Sequence, residues 1–250
     1  MSRNFELLQN LGKEELVVET VAPAEPEMQA EPLSVIEPQL KLEPMELDQL
    51  TKMVQRVFLL PGPDAARAVV FTASESGNGC SWICARVAET LAAQVSSNVY
   101  LVDANLRHPT LHQEFGVDNQ EGFVDALQRG ESARSFARQL SRPNLWLITA
   151  GAAPETFDSS LGSGRVRQMV TDLRASGYVL VDAPAVNASN GAASLGAVAD
   201  GVVVVLRANS SRREPTRKVV QDLQAAKVNV LGAVLNQRTF PIPQSIYNRL

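Results

Sequence analysis

The stretch Ala68-Val69-Val70-Phe71-Thr72-Ala73-Ser74-Glu75-Ser76-Gly77-Asn78-Gly79-Cys80-Ser81 decides the fold. Its first six residues are almost all apolar, as a strand covered on both faces requires. Gly77 and Gly79 then free the backbone to turn back, and apolar positions three and four apart predict a helix over Ser81 to Gln94. Strand, glycine turn and helix in that order aim several amides and the positive end of a helix dipole at one point, which makes a cradle for phosphate. Ser81 stands where the hydroxyl of a phosphate-binding loop reaches Mg²⁺. A standard loop places lysine directly after its last glycine, and here Cys80 holds that slot.

Working outward, short apolar runs alternate with helical patterns, the signature of βαβ units. Strands are predicted at 68–73, 98–103, 144–149, 178–182, 201–207 and 229–236. Helices are predicted at 81–94, as a pair around 122–140, and at 163–175, 188–198 and 214–226. The fold class is therefore α/β, a doubly wound and mostly parallel sheet with helices on both faces, over residues 47–240. Before it, residues 1–19 form a short amphipathic segment around Phe5, Leu7, Leu8 and Leu11. Residues 20–46 repeat Glu and Pro (Glu25, Pro26, Glu27, Glu31, Pro32, Glu37, Pro38, Glu43, Pro44) and read as a disordered acidic linker. A tail over 241–250 follows the domain.

Hydrophobic residues make up 45% of the 250-residue chain, enough for a sizeable core. The net charge of −4 is uneven, because residues 1–50 carry eleven acids and three bases, so the remainder is net basic by only four charges. That balance gives no strong nucleic-acid footprint, and the set Arg212, Arg213, Arg217 and Lys218 reads as a solvated helix face without interleaved aromatics. No apolar run approaches the roughly 20 residues of a spanning helix, so a cytoplasmic location is expected. The two cysteines, Cys80 and Cys84, support neither a disulfide framework nor a zinc site. Cys80 admits a second reading as a reactive thiol, its pKa lowered at a helix N-terminus, against the commoner one of an inert packed thiol. His108 and His112 are four apart, but Pro109 between them argues against a shared helix and a metal pair.

Two further strands end in acids: Leu101-Val102-Asp103-Ala104-Asn105-Leu106-Arg107-His108-Pro109 and Val179-Leu180-Val181-Asp182-Ala183-Pro184. In an open parallel sheet ligands lie beyond the carboxyl ends of the strands, so Asp103, Asp182 and the glycine turn are expected to converge on one crevice.

These segments, with Ala199-Asp200-Gly201-Val202, Arg212-Arg213-Glu214 and Leu231-Gly232-Ala233-Val234-Leu235-Asn236, resemble the bacterial tyrosine kinases of capsule and exopolysaccharide synthesis, over about residues 68–238. That family belongs to the deviant P-loop group with the ParA and MinD ATPases; Arg107 and Pro109 look more like the kinase branch. The resemblance implies ATP and Mg²⁺ as cofactors. It implies a nucleotide site at Gly77, Asn78, Gly79, Cys80, Ser81, Trp82, Arg107 and Asn236, the last at the family's adenine position. It also implies metal-side groups at Ser81, Asp103 and Asp182, with Asp103 and Asp182 the catalytic pair. The implied partner is a membrane polysaccharide co-polymerase or chain-length regulator, or another exopolysaccharide assembly protein, which would bring the chain to the inner face of the membrane; homo-oligomers are also implied.

The departures fall in one site. Cys80 replaces the loop lysine, Trp82 the following Thr or Ser, and Asn105 the second acid of the Walker A′ motif. Removing one partner of a buried charge-assisted contact costs about 2–5 kcal/mol, and phosphoryl transfer rests on positioning and electrostatics. Transfer is therefore expected to be weak or absent, with the chain acting as a nucleotide-responsive regulator. The alternatives are a non-enzymatic scaffold that keeps the fold and, third, a ParA or MinD type ATPase, whose signature lysine residues 74–79 lack. The family's tyrosine cluster is reduced to Tyr247, a lone phosphoacceptor or an aromatic anchor for the tail. Glu46, Lys52 and Arg56 are too irregularly spaced to mark the family's oligomerisation helix.

Overall fold

Residues 42–60, 62, 65–152 and 164–237 are described by a computed structural model. The amphipathic N-terminal segment, most of the acidic linker, and Tyr247 with its tail lie outside the described residues.

The first element is α1 (Pro44–Val57), a helix that the pattern of Glu and Pro had concealed. Pro44 sits at the start of the helix, where a missing amide costs nothing, and Glu46 turns back to accept from the Glu43 N–H at 3.0 Å. Leu50 and Val54 bury one face against the next helix, each worth about 1.5–3 kcal/mol. A helix thus does precede the first strand, and Glu46, Lys52 and Arg56 lie exposed along it.

There follow β1 (Ala68–Ala73), α2 (Cys80–Ala92), β2 (Asn98–Asp103), the single turn α3 (Leu111–Glu114) and α4 (Phe123–Arg129). The second half of the expected 122–140 pair is instead a 3₁₀ turn, Ala133–Phe136, and a two-residue strand, β3 (Arg138–Gln139). The chain continues with β4 (Leu145–Ile148), α5 (Gly164–Ser176), β5 (Gly177–Asp182), α6 (Gly191–Gly196), β6 (Gly201–Arg207), α7 (Arg213–Ala225) and β7 (Val230–Asn236). The sheet order is β3-β4-β2-β5-β1-β6-β7, parallel throughout except for β3 against β4.

Strands β1, β2, β5 and most of β6 are buried on both faces, which explains their unbroken apolar runs. Two core clusters fill the faces, one including Val70, Tyr100, Val102, Val181 and Val204, the other Phe71, Leu101, Leu180 and Val205. Asp200, quoted in the family resemblance, works at the edge opposite the candidate site. Its Oδ2 accepts from the Arg67 and Ala68 amides at 2.8 and 2.9 Å, and so sets where β1 starts.

Candidate functional site

The carboxyl ends of β1, β2 and β5 meet because β5 lies between the other two, and the register sets Asp103 directly beside Asp182. Both acids are fully buried. Beside them, lined by the adjoining Ser81, Asn105 and Ala183 and not by the acids themselves, is a cavity of about 630 Å³, walled by the loop from Glu75 to Trp82, by Arg107 and His108, and by Arg86, Thr110, Gln113 and Glu114.

Local backbone chemistry builds the loop. Gly77 and Gly79 adopt φ of +86° and +79°, the left-handed region that disfavours a side chain. Gly79 caps α2, its carbonyl accepting from the Ile83 N–H at 3.0 Å. At Gly79 a Cβ would also stand 2.4 Å from Nδ2 of Asn236. That Asn236 amide donates to the Asn78 carbonyl at 2.9 Å, so Asn236 braces the back of the loop and is not among the residues that line the cavity. The Asn78 side chain is buried and turned inward, its Nδ2 facing Ser74 Oγ at 3.1 Å, the Val205 carbonyl at 3.3 Å and Ser211 Oγ at 3.5 Å. Sequence reasoning grouped Asn78 and Asn236 with the nucleotide contacts; both side chains are engaged in holding the loop's shape.

The carboxylate end is densely connected. Ser81 Oγ donates to Asp182 Oδ2 at 2.5 Å, while Asp182 Oδ1 is buried with no hydrogen-bond partner. Asp103 accepts from the Asn105 N–H at 3.1 Å and the Leu111 N–H at 3.2 Å, with the Thr110 amide contributing. Burial, and then the neighbouring Asp182, push the Asp103 carboxyl up to about 8. Burial pushes Asp182 up to about 6, against the hydrogen bonds from Ser81 and Cys80. Burial and the adjoining Asp182 charge push the Cys80 thiol well up as well. Desolvation and a facing carboxylate disfavour the thiolate, which supports the commoner, inert-thiol reading of Cys80 over the reactive one.

An orphaned carboxylate oxygen beside a hydroxyl fits a divalent cation, which would neutralise the acid pair and take its remaining ligands from water and phosphate. Among the described residues no group of three or more His, Cys, Asp and Glu side chains is placed to hold a metal, so the protein side of such a site is sparse. His108 lines the cavity while His112 lies on α3, so the two share no helix, as Pro109 implied. Trp82 is half-buried on the wall, resting partly on the core, and Arg107 is exposed at the rim. Arg86, Thr110 and Leu111 were missed from sequence. Arg86 sits in an otherwise apolar helix stretch, and the other two act through main-chain N–H groups.

A strand, a glycine loop and a helix, faced by two strand-end acids, define a P-loop fold of the ParA and MinD type. Over 171 residues the chain is 30% identical to the tyrosine-protein kinase YwqD of Bacillus subtilis, covering 68% of this chain and 72% of YwqD. It is 34% identical over 169 residues to EpsB of Ralstonia nicotianae, covering 67% of this chain but only 22% of that longer protein. The crystal structure of the chimerical protein CapA2B2 superposes with a TM-score of 0.73 at 23% identity, over 79% of this chain and 87% of the other. The septum site-determining protein MinD of Pyrococcus horikoshii, complexed with Mg-ADP, gives 0.57 at 20% identity, over 73% and 76%. No protein-family profile matches the sequence. The chain belongs to the bacterial tyrosine-protein kinase family.

Proposed function

We propose that this chain is a Mg²⁺-nucleotide-responsive regulator of exopolysaccharide or capsule assembly, built on a tyrosine-kinase domain whose phosphoryl transfer is weak or absent. It would act in the cytoplasm, with a membrane co-polymerase or another assembly protein as its partner. Residues 47–240 would be the nucleotide-binding body, with 1–19, the acidic 20–46 and the 241–250 tail as its arms. No described helix is long and apolar enough to cross a membrane.

One observation carries the reading. The paired acids and Ser81 retain an unfilled oxygen for a cation, while the slot for the phosphate-facing lysine holds the half-buried, uncharged Cys80. In this reading the amides of Gly77 to Ser81 hold the phosphates, Asp182 and Ser81 hold Mg²⁺, and Arg107 borders the phosphate end. Mg²⁺, when bound, supplies neutralisation of phosphate charge. Asp103, raised to about 8, keeps its proton near neutral pH while the cavity holds no cation and is then no base for a tyrosine hydroxyl. A cation beside it lowers that pKa, which makes the acid pair sensitive to what the cavity holds.

The acceptor side is equally reduced. Among the described residues the tyrosines are Tyr100, fully buried in β2, and Tyr178, packed edge-on against Phe58 at 6.0 Å. Tyr247 remains as the lone phosphoacceptor of the reading.

The test is calorimetry of the full chain with Mg²⁺-ADP and Mg²⁺-ATP, alongside a phosphotyrosine assay. Micromolar binding without phosphotyrosine supports the regulator. Absence of binding favours the scaffold that keeps only the fold, and phosphotyrosine abolished by Asp103→Ala shows a working kinase.

A further inference from the structure

Arg86 is a charged residue with no part in the reading above. It lies on α2, lines the cavity and is only 4% exposed. Its guanidinium meets Glu89, one turn on, at 2.8 Å and reaches across to Glu114 of α3 at 3.7 Å, while its Cζ stands 5.9 Å from the centre of the Phe115 ring. Nε is buried without a hydrogen-bond partner.

Such a residue is a poor choice for stability alone. Buried ion pairs replaced by well-packed apolar groups are often neutral or more stable, and an unsatisfied Nε adds to the cost. Its geometry does achieve one thing that an apolar side chain would not. It ties α2, which begins at the glycine loop, to both ends of the link Glu114-Phe115. α3 is a single turn, too short to hold itself. The amides of Thr110 and Leu111 at its start donate to Asp103.

We propose that Arg86 is a positioning residue: by clamping Glu114 and Phe115 onto α2 it fixes the first turn of α3 and so aims the Thr110 and Leu111 amides at Asp103. Arginine suits the task because a planar fork engages two carboxylates and stacks on a ring, which lysine does not. The consequence for nucleotide binding rests on the role given to Asp103 under Proposed function; the clamp does not.

The test is residue-resolved amide hydrogen exchange on the full, metal-free chain. Arg86→Met is expected to speed exchange at Thr110 and Leu111 at least tenfold relative to Tyr100 and Val102 of β2 in the same sample. Val54→Ala, which loosens the α1–α2 contact, serves as a general destabilisation control and is expected to leave that ratio unchanged. Should Arg86→Met fail to fold, Glu114→Gln cuts the clamp from its more exposed side and is expected to give a roughly threefold or larger change. An unchanged ratio in the folded clamp variants, or an equal change in Val54→Ala, overturns the proposal. Mg²⁺-ADP calorimetry on the same samples separates the two ideas: a faster local exchange in a chain that binds no nucleotide keeps the clamp and removes the nucleotide reading.

Discussion

The two sides of the candidate site differ in what they are made of. At the loop end the chemistry is main chain, with two glycines in the left-handed region and an α2 N-terminus, and the one side chain that should add positive charge is Cys80. At the strand end the chemistry is side chain, with Asp103 and Asp182 locked side by side by strand register and Ser81 bonded to one of them. A backbone cradle survives replacement of a neighbouring side chain, since its donors belong to every residue type. A pair of buried acids does not survive cheaply unless something positive is to meet it, because each raises the other's cost of ionisation. The site has lost charge where the phosphates would lie and kept it where a cation would.

The strongest challenge to that contrast is Asp182→Asn. It is expected to weaken Mg²⁺-nucleotide binding by about 100-fold or more, read by calorimetry, while raising the thermal midpoint of the metal-free chain above pH 6 by removing a buried charge. Unchanged binding would move the cation elsewhere. Next in size, Cys80→Lys is expected to tighten Mg²⁺-ATP by about tenfold, some 1.4 kcal/mol, by restoring the loop-end cation. Adding Trp82→Thr and Asn105→Asp to it tests whether transfer returns with the other two missing side chains.

The acid pair also fixes a pH dependence. Both folded-state pKa values lie above the ordinary carboxylate value of 3.8, at about 8 and about 6, so between roughly pH 4 and 8 the folded chain binds more protons than the unfolded one. Stability from this source is full below pH 4 and is lost as pH rises through 6 and 8. Thermal melts of the metal-free chain should therefore show a lower midpoint at pH 8 than at pH 5. Saturating Mg²⁺ should flatten that slope, and a slope of opposite sign would remove the acid pair from the account.

The smallest effects separate the two glycines. Gly77→Ala meets open space and is expected to cost only the left-handed backbone strain, about 1 kcal/mol in urea unfolding. Gly79→Ala adds a 2.4 Å approach to the Asn236 amide and should cost about 1 kcal/mol more, loosening the brace behind the loop.

What was legible in the sequence follows the same division. Strands at 68–73, 98–103 and 201–207 stand at their expected bounds, because doubly covered strands write themselves as continuous apolar runs. The helix expected at 188–198 is shortened to Gly191–Gly196, and a helical pattern after Gly130 gave a 3₁₀ turn and an edge strand paired to β4. Helix α1 was hidden because proline marks linkers in general, yet Pro44 occupies the one helical position that tolerates it. At the site, the convergence of Asp103, Asp182 and the loop was readable from strand ends. The inward turn of Asn78, the bracing by Asn236 and the burial of Arg86 were not, since these depend on contacts 127, 158 and 28 residues distant in the chain.

The central claim, a cradle still shaped for Mg²⁺-nucleotide behind a missing lysine, is tested most directly by titrating the full chain with Mg²⁺-ADP at pH 7.5, with Asp182→Asn and Cys80→Lys in parallel. Micromolar binding by the parent, lost in Asp182→Asn and tightened in Cys80→Lys, is the expected pattern. No heat from the parent or from Cys80→Lys would contradict it.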